Sequence, residues 1–443
     1  MAKKLFMSLE DDQSTPEVQP EETITVAEND AEAAVATVNE VVDDIKEDVE
    51  TLEDAVEDIG ELEAQTEVVE DTLEDGGEGM TEDHAKSVEI AVESIFKRLG
   101  VDPKKSKKLV STEAFGSTHT RKQATQVTLE GFKETLVTLW KRIVEYTKQI
   151  WDKLLKFYEQ YVSDTGRLKK GLEALDKQVK AANGSPKEAE LKAFGLVKAF
   201  WDFNANEPKA DEIIANHIAV TKSGLQFADG VTSVAEDILS VVKKGANEGE
   251  SDVDTSGMGA IVEKSNKLLM SAIGGKEEAG PFFNGNLFKL ETNGEGEAKL
   301  GAAGFGFVVN NKISEKGKDT IAALDKAGCE KVLAEAKELL SLTEKFKEKQ
   351  AKVKAFQNAI DKIADTVISA VNKMADDGEG KKEGLTQART FINKANITYT
   401  KVLSTVPGMN INVVKAAMNY VQASLRNMGE ASAAQIEDKT KEE

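Results

Sequence analysis

Hydrophobic positions recur at intervals of three and four residues over most of this chain, the spacing of amphipathic helices. The most regular run comes first. Val35, Val38, Val42, Ile45, Val49, Leu52, Val56 and Ile59 alternate steps of three and four, which is a heptad seam with valine at every a position and Val, Ile, Leu and Ile at d. Asp43, Asp44, Glu47, Glu50, Asp54, Glu57 and Asp58 are expected on its outer face. A second short seam, Leu62, Val69 and Leu73, is offset by one three-residue step, which would overwind a coil locally. The pattern predicts an acidic two-stranded coiled coil; a disordered acidic tail is the alternative, because like charges crowd the same segment.

Gly76-Gly77-Glu78-Gly79 breaks the pattern, and a short helix with Val88, Val92, Ile95, Phe96 and Leu99 on one face follows, stopped by Gly100. Beyond it, one long amphipathic helix is expected over 123–162, with Val127, Phe132, Leu136, Leu139, Trp140, Ile143, Val144, Ile150, Trp151, Leu154, Leu155, Tyr158 and Val162 on its apolar face. Further helices are expected at about 167–182, 187–203, 209–244, 260–273, 318–346, 348–375, 386–404 and 409–428. Between Pro281 and Ile313 the texture changes to Phe282-Phe283-Asn284-Gly285-Asn286-Leu287-Phe288 and Gly304-Phe305-Gly306-Phe307-Val308-Val309, which read as short strands around turns. The fold class is therefore mainly α: an elongated helical bundle with a small β insertion, preceded by an acidic coiled-coil or disordered leader. The parts are a leader at 1–113, an opening helix at 114–163, a helical region at 164–280, the β insertion at 281–313, a second helical region at 314–429 and a polar tail at 430–443.

Charge sharpens this division. The 443 residues carry a net charge of −22, yet residues 1–113 hold 33 Asp and Glu against 10 Lys and Arg. The remainder holds 46 against 47, so the acidity belongs to the first quarter. Near that boundary comes Lys104-Lys105-Ser106-Lys107-Lys108 and then Leu109-Val110-Ser111-Thr112-Glu113-Ala114, a small polar stretch of the kind proteases cut most readily. The single cysteine, Cys329, excludes an internal disulfide framework, and as a helical residue after Gly328 it is expected to be a buried inert thiol. No apolar run reaches the length of a membrane span.

Catalytic chemistry finds no foothold. His84, His119 and His217 are scattered, with no Cys or acid at a metal-ligand spacing. Gly301-Ala302-Ala303-Gly304-Phe305-Gly306 lacks the following helix and the acid a nucleotide loop needs, and there is no phosphate loop or nucleophile elbow. No catalytic residue, cofactor or metal is expected.

Around the charge boundary the sequence resembles a known family. Ser111-Thr112-Glu113 followed by Ala114 looks like the small-x-Glu site cut by prohead proteases of giant myophages. Thr120-Arg121-Lys122-Gln123-Ala124-Thr125, Leu129-Glu130-Gly131-Phe132-Lys133-Glu134-Thr135-Leu136, Trp140-Lys141-Arg142-Ile143-Val144 and Ile150-Trp151-Asp152-Lys153-Leu154 resemble the start of their mature internal head proteins. The likeness spans about residues 109–162. The three-residue motif itself recurs, at Ser8-Leu9-Glu10, Ala55-Val56-Glu57, Ser87-Val88-Glu89, Ala91-Val92-Glu93 and Gly171-Leu172-Glu173; Glu113 stands out by its place at the charge boundary. The resemblance implies a structural, non-enzymatic protein made in the host cytoplasm and directed into the prohead by an acidic propeptide. A prohead protease would cut that propeptide at maturation, and the protein could be ejected with the DNA. The implied partners are the prohead protease and the co-assembling prohead. The acidic outer face, the local basic patches and the heptad seam add, as expectations from the residues, scaffold or capsid shell proteins, weak non-specific contact with packaged DNA, and self-association through the leader. A second class of function also fits the 123–162 helix: a membrane-active helical effector released by cleavage, its lysines opposite its aromatics.

Overall fold

A computed structural model describes residues 20–73, 77–98, 118–247, 256–292, 305–313, 317–373 and 379–429. The leader seam is helical: α1 spans Pro20–Asp71 and α2 spans Glu82–Arg98. The chain then forms α3 (Thr118–Ala181), a short α4 (Phe194–Ala199), α5 (Ala210–Asn247) and α6 (Ser256–Ala272). After the strands come α7 (Lys326–Glu348), α8 (Gln350–Lys373) and α9 (Glu379–Met428). One contiguous core runs from Ile45 in α1 to Met428 at the end of α9.

Four expected boundaries fall differently. The helix expected at 318–346 starts only at Lys326, where the Asp325 side chain caps it by accepting from Gly328 N–H. The helices expected at 123–162 and 167–182 are one, because Gly166 sits within α3 without interrupting it. The pair expected at 386–404 and 409–428 is also one helix, running through Pro407. Proline removes the N–H that would bond the carbonyl four residues back, at Leu403. Here the Tyr158 hydroxyl of α3 donates to the Leu403 carbonyl at 2.8 Å, so the group that proline frees is satisfied by a neighbouring helix. The helix expected at 187–203 is mostly absent. Lys187 N–H donates to the Asn427 carbonyl at 3.0 Å, and β1 (Glu190–Leu191) pairs antiparallel with β7 (Ile321–Ala322). Tertiary partners thus take the backbone groups that a helix would have used. Downstream, β2 (Trp201–Asp202) and β3 (Glu207–Pro208) form a small hairpin, with Asn206 at positive φ and Asn204 N–H bonded to the Asp202 carboxylate at 2.7 Å.

The β insertion is a three-stranded antiparallel meander of β4 (Glu278–Phe282), β5 (Asn286–Thr292) and β6 (Phe305–Asn311). Phe288 stacks on Phe282, at 4.2 Å, and packs against Phe307, at 5.0 Å. His217 of α5 ties this sheet to the helices. Phe283 N–H donates to its Nε2 at 3.0 Å, which leaves Nδ1 to carry the proton towards Asn410 Oδ1, also at 3.0 Å. Asn410 in turn donates to Thr221 and Thr343, at 2.8 and 3.0 Å. His217 is wholly buried, and desolvation pushes its pKa down to about 4, against a smaller upward pull from Asn410. Cys329 is buried as expected, and burial pushes its thiol up to about 11.

Candidate functional site: the groove that holds the acidic helix

Helix α1 lies along α3 and α9 and runs antiparallel to both. Asn39 meets Asn412, Asp48 meets Lys153, Glu53 meets Lys401 and Glu63 meets Trp140 and Arg389, so partner numbers fall as α1 advances. The seam read from the spacing is the face that goes in. Ile45, Val49, Leu52, Ile59, Leu62 and Val69 are each at most 2% exposed, while Val42 and Val56 are half-buried. The partner differs from the expected one: the seam is covered by α3 and α9 of its own chain, not by a second leader. Of the acids expected outside, Asp43, Asp44, Glu47, Glu50, Asp54 and Glu57 are exposed, whereas Asp58 is buried. A helix packed between two neighbours buries a wider stripe than a two-stranded seam, and position 58 falls within it.

Polar contacts flank the seam on both sides. The two amides of Asn39 and Asn412 exchange hydrogen bonds of 3.2 and 2.9 Å. Asp48 accepts from the Tyr146 hydroxyl at 3.1 Å and pairs with Lys153; burial, then the charge of Asp48, raises the Tyr146 pKa. Glu53 pairs with Lys401 at 2.6 Å. Glu63 is the most enclosed of the three paired acids Asp48, Glu53 and Glu63. It accepts from the Trp140 indole N–H at 3.1 Å and pairs with Arg389, whose guanidinium lies 3.9 Å above the Trp140 ring. Desolvation pushes Arg389 down to about 9, which still leaves it charged at neutral pH. Past the end of α1, Glu78 reaches Arg121 at 3.5 Å and Met80 N–H donates to Thr125 Oγ1 at 2.8 Å.

Two glycines make the fit possible. A Cβ on Gly408 would stand 2.8 Å from a Val42 methyl, so only glycine lets α1 approach α9 there. Gly79 has φ +78°, and a Cβ would meet the Arg121 backbone at 3.0 Å. Magnitudes decide what holds the helix. Six buried aliphatic side chains are worth roughly 1.5–3 kcal/mol each, whereas partly exposed ion pairs contribute about 0–1 kcal/mol each. The seam provides the hold, and the charges select orientation and register.

The sequence-derived cut residues Ser111, Thr112, Glu113 and Ala114 lie outside the described residues, between the end of α2 at Arg98 and the start of α3 at Thr118. Of the bases expected on the polar face of the opening helix, Arg142 pairs with Glu145, Lys148 with Asp361 and Lys153 with Asp48. The apolar face of that helix is core from Phe132 onward, with Phe132, Leu139, Ile143, Trp151 and Leu154 all buried, whereas Val127 near its start is exposed. Reading the sequence missed the body's half of this contact: Lys401, Arg389, Gly408 and Asn412 carry no local signal, and only the leader's excess of acids hints that cations meet it. Among the described residues no group of three or more His, Cys, Asp or Glu side chains could hold a metal ion, and no helix is long and apolar enough to cross a membrane. Compared with known proteins, residues 26–423 match the family model of phiKZ-like phage internal head proteins. No curated protein and no solved structure matches the chain.

Proposed function

The chain belongs to the phiKZ-like phage internal head proteins, and from that premise we propose that residues 1–113 are a propeptide and residues 114–443 the mature species. In this reading the protein is structural and non-catalytic, made in the host cytoplasm and carried into the prohead with its acidic leader attached. A prohead protease then cuts after Glu113, between Ser111-Thr112-Glu113 and Ala114. The observation that carries the proposal is the charge division at that boundary: the net charge of −22 becomes +1 when residues 1–113 leave. The placement of α1 supports it. Acids of α1 pair with cations of α3 and α9, while Asp43, Asp44, Glu47, Glu50, Asp54 and Glu57 remain on the outside to meet basic scaffold or shell surfaces. Loss of that outer charge would end such contacts and remove repulsion with packaged DNA, leaving room for weak, non-specific contact. Ejection with the DNA is part of the same proposal. Mass spectrometry of purified particles tests the cut. A semi-specific peptide beginning Ala114-Phe115-Gly116 is expected, and intact peptides spanning Thr112 to Ser117 at full abundance would overturn it.

A further inference from the structure

We infer that a cut between α2 and α3 does not free the leader: α1 and α2 stay seated in the α3–α9 groove as a separate, non-covalently held chain. This rests on the proposed propeptide reading only for the occurrence of the cut. The backbone bond that such a cut breaks is remote from what holds α1. Contacts run from the Asn39–Asn412 amide pair to the Met80–Thr125 hydrogen bond, with Ala85 and Val88 of α2 continuing the same buried cluster. None of these groups changes when the chain is opened between Arg98 and Thr118. Cutting removes only the tether, which turns an intramolecular contact into a bimolecular one. Six aliphatic side chains at most 2% exposed would have to enter water for the leader to leave, and salt does not weaken that cost as it weakens ion pairs. Maturation would then need a second event to clear the groove, such as a cut within α1 itself, and until then the body is shielded by its own leader.

The test uses the full chain with a site-specific protease sequence inserted between Arg98 and Thr118. After complete cutting, gel filtration at 0.1 M and 1 M NaCl should show both fragments in one peak, separating only in denaturant. Leader eluting apart from the body in native buffer at either salt overturns the inference. Ile59→Ala with Leu62→Ala should weaken retention by roughly a thousandfold, because each removes buried aliphatic groups from the seam. Unchanged retention in that double variant also overturns it, since the seam would then not be the hold. Should the double variant misfold before cutting, as judged by circular dichroism, Val49→Ala alone reads the same contact with a smaller loss. Absence of the Ala114 terminus from particles would sink the propeptide reading while leaving this result untouched.

Discussion

The hydroxyl of Tyr158 should be worth far more when residue 407 is proline than when it is not. Pro407 lies inside α9, so Leu403 lacks its helical donor, and the Tyr158 hydroxyl supplies one at 2.8 Å. Tyr158 is about 1% exposed, and burial drives its pKa far above the ordinary phenol value, so it is a neutral donor at every usable pH. Tyr158→Phe keeps the ring, with its tilted contacts to Phe157 at 5.6 Å and Phe346 at 6.2 Å, and deletes only the donor. A buried carbonyl left unsatisfied costs about 1–3 kcal/mol. Unfolding entropy scales with chain length, so a cost of about 2 kcal/mol corresponds to a fall of roughly 2 °C in Tm for a body of this size. In Pro407→Ala the new backbone N–H can reach the Leu403 carbonyl, and Tyr158→Phe in that background should cost less than half as much. Calorimetry on the four proteins of this cycle gives the coupling. Equal costs in both backgrounds would refute the account of how α9 passes through its proline.

Three further outcomes follow from buried charges and close contacts. His217 has a folded pKa of about 4 against an ordinary 6.5, so the unfolded chain takes up its proton first and stability is lost as pH falls from 6.5 towards 4. That amounts to about 2 kcal/mol at pH 5; His217→Gln should flatten this part of the Tm–pH profile, and an unchanged slope would contradict it. Arg389→Met strands Glu63 among buried groups and should cost about 3 kcal/mol, whereas adding Glu63→Leu should recover most of it; calorimetry showing additive losses would refute that coupling. Gly408→Val would drive a branched side chain into Val42 and should loosen α1, read as faster proteolysis within residues 39–71 while α5 to α8 stay protected; an unchanged digestion pattern would count against the close approach.

Periodicity carried the reading well where one face decides. Of the eight positions from Val35 to Ile59, Ile45, Val49, Leu52 and Ile59 are buried and Val42 and Val56 half-buried, and the aromatic-rich spacing around 281–313 marks the meander. It failed where a distant group decides. Pro407 is a helix breaker by local rule, and only a tyrosine about 250 positions earlier in the chain overturns that. Residues 187–203 have helical spacing, yet Asn427 and strand β7 claim the backbone. The heptad seam shows the limit most sharply: spacing tells which face is buried and says nothing about what buries it. A coiled coil with a second leader and a berth between α3 and α9 ask for the same valines.

Charge breaks that tie. Two leaders side by side would align Asp43, Asp44, Glu47, Glu50, Asp54 and Glu57 with their own copies, and repulsion would oppose pairing. Against the body, Asp48, Glu53 and Glu63 each find a cation, and the outer acids face water. Among the described residues the same argument explains why the bases of α3 and α9 stand where they do. Lys153, Lys401 and Arg389 would be ordinary surface charges on the body alone, but together they line the groove's edges and fix which way an acidic helix can lie in it. An antiparallel α1 matches all three in order; a reversed one would bring Glu63 to the Lys153 end and Asp48 to the Arg389 end, abandoning the Trp140 hydrogen bond and the reciprocal amides of Asn39 and Asn412. Orientation is therefore written in a few polar positions, while affinity lies in the aliphatic stripe, and the two can be varied separately.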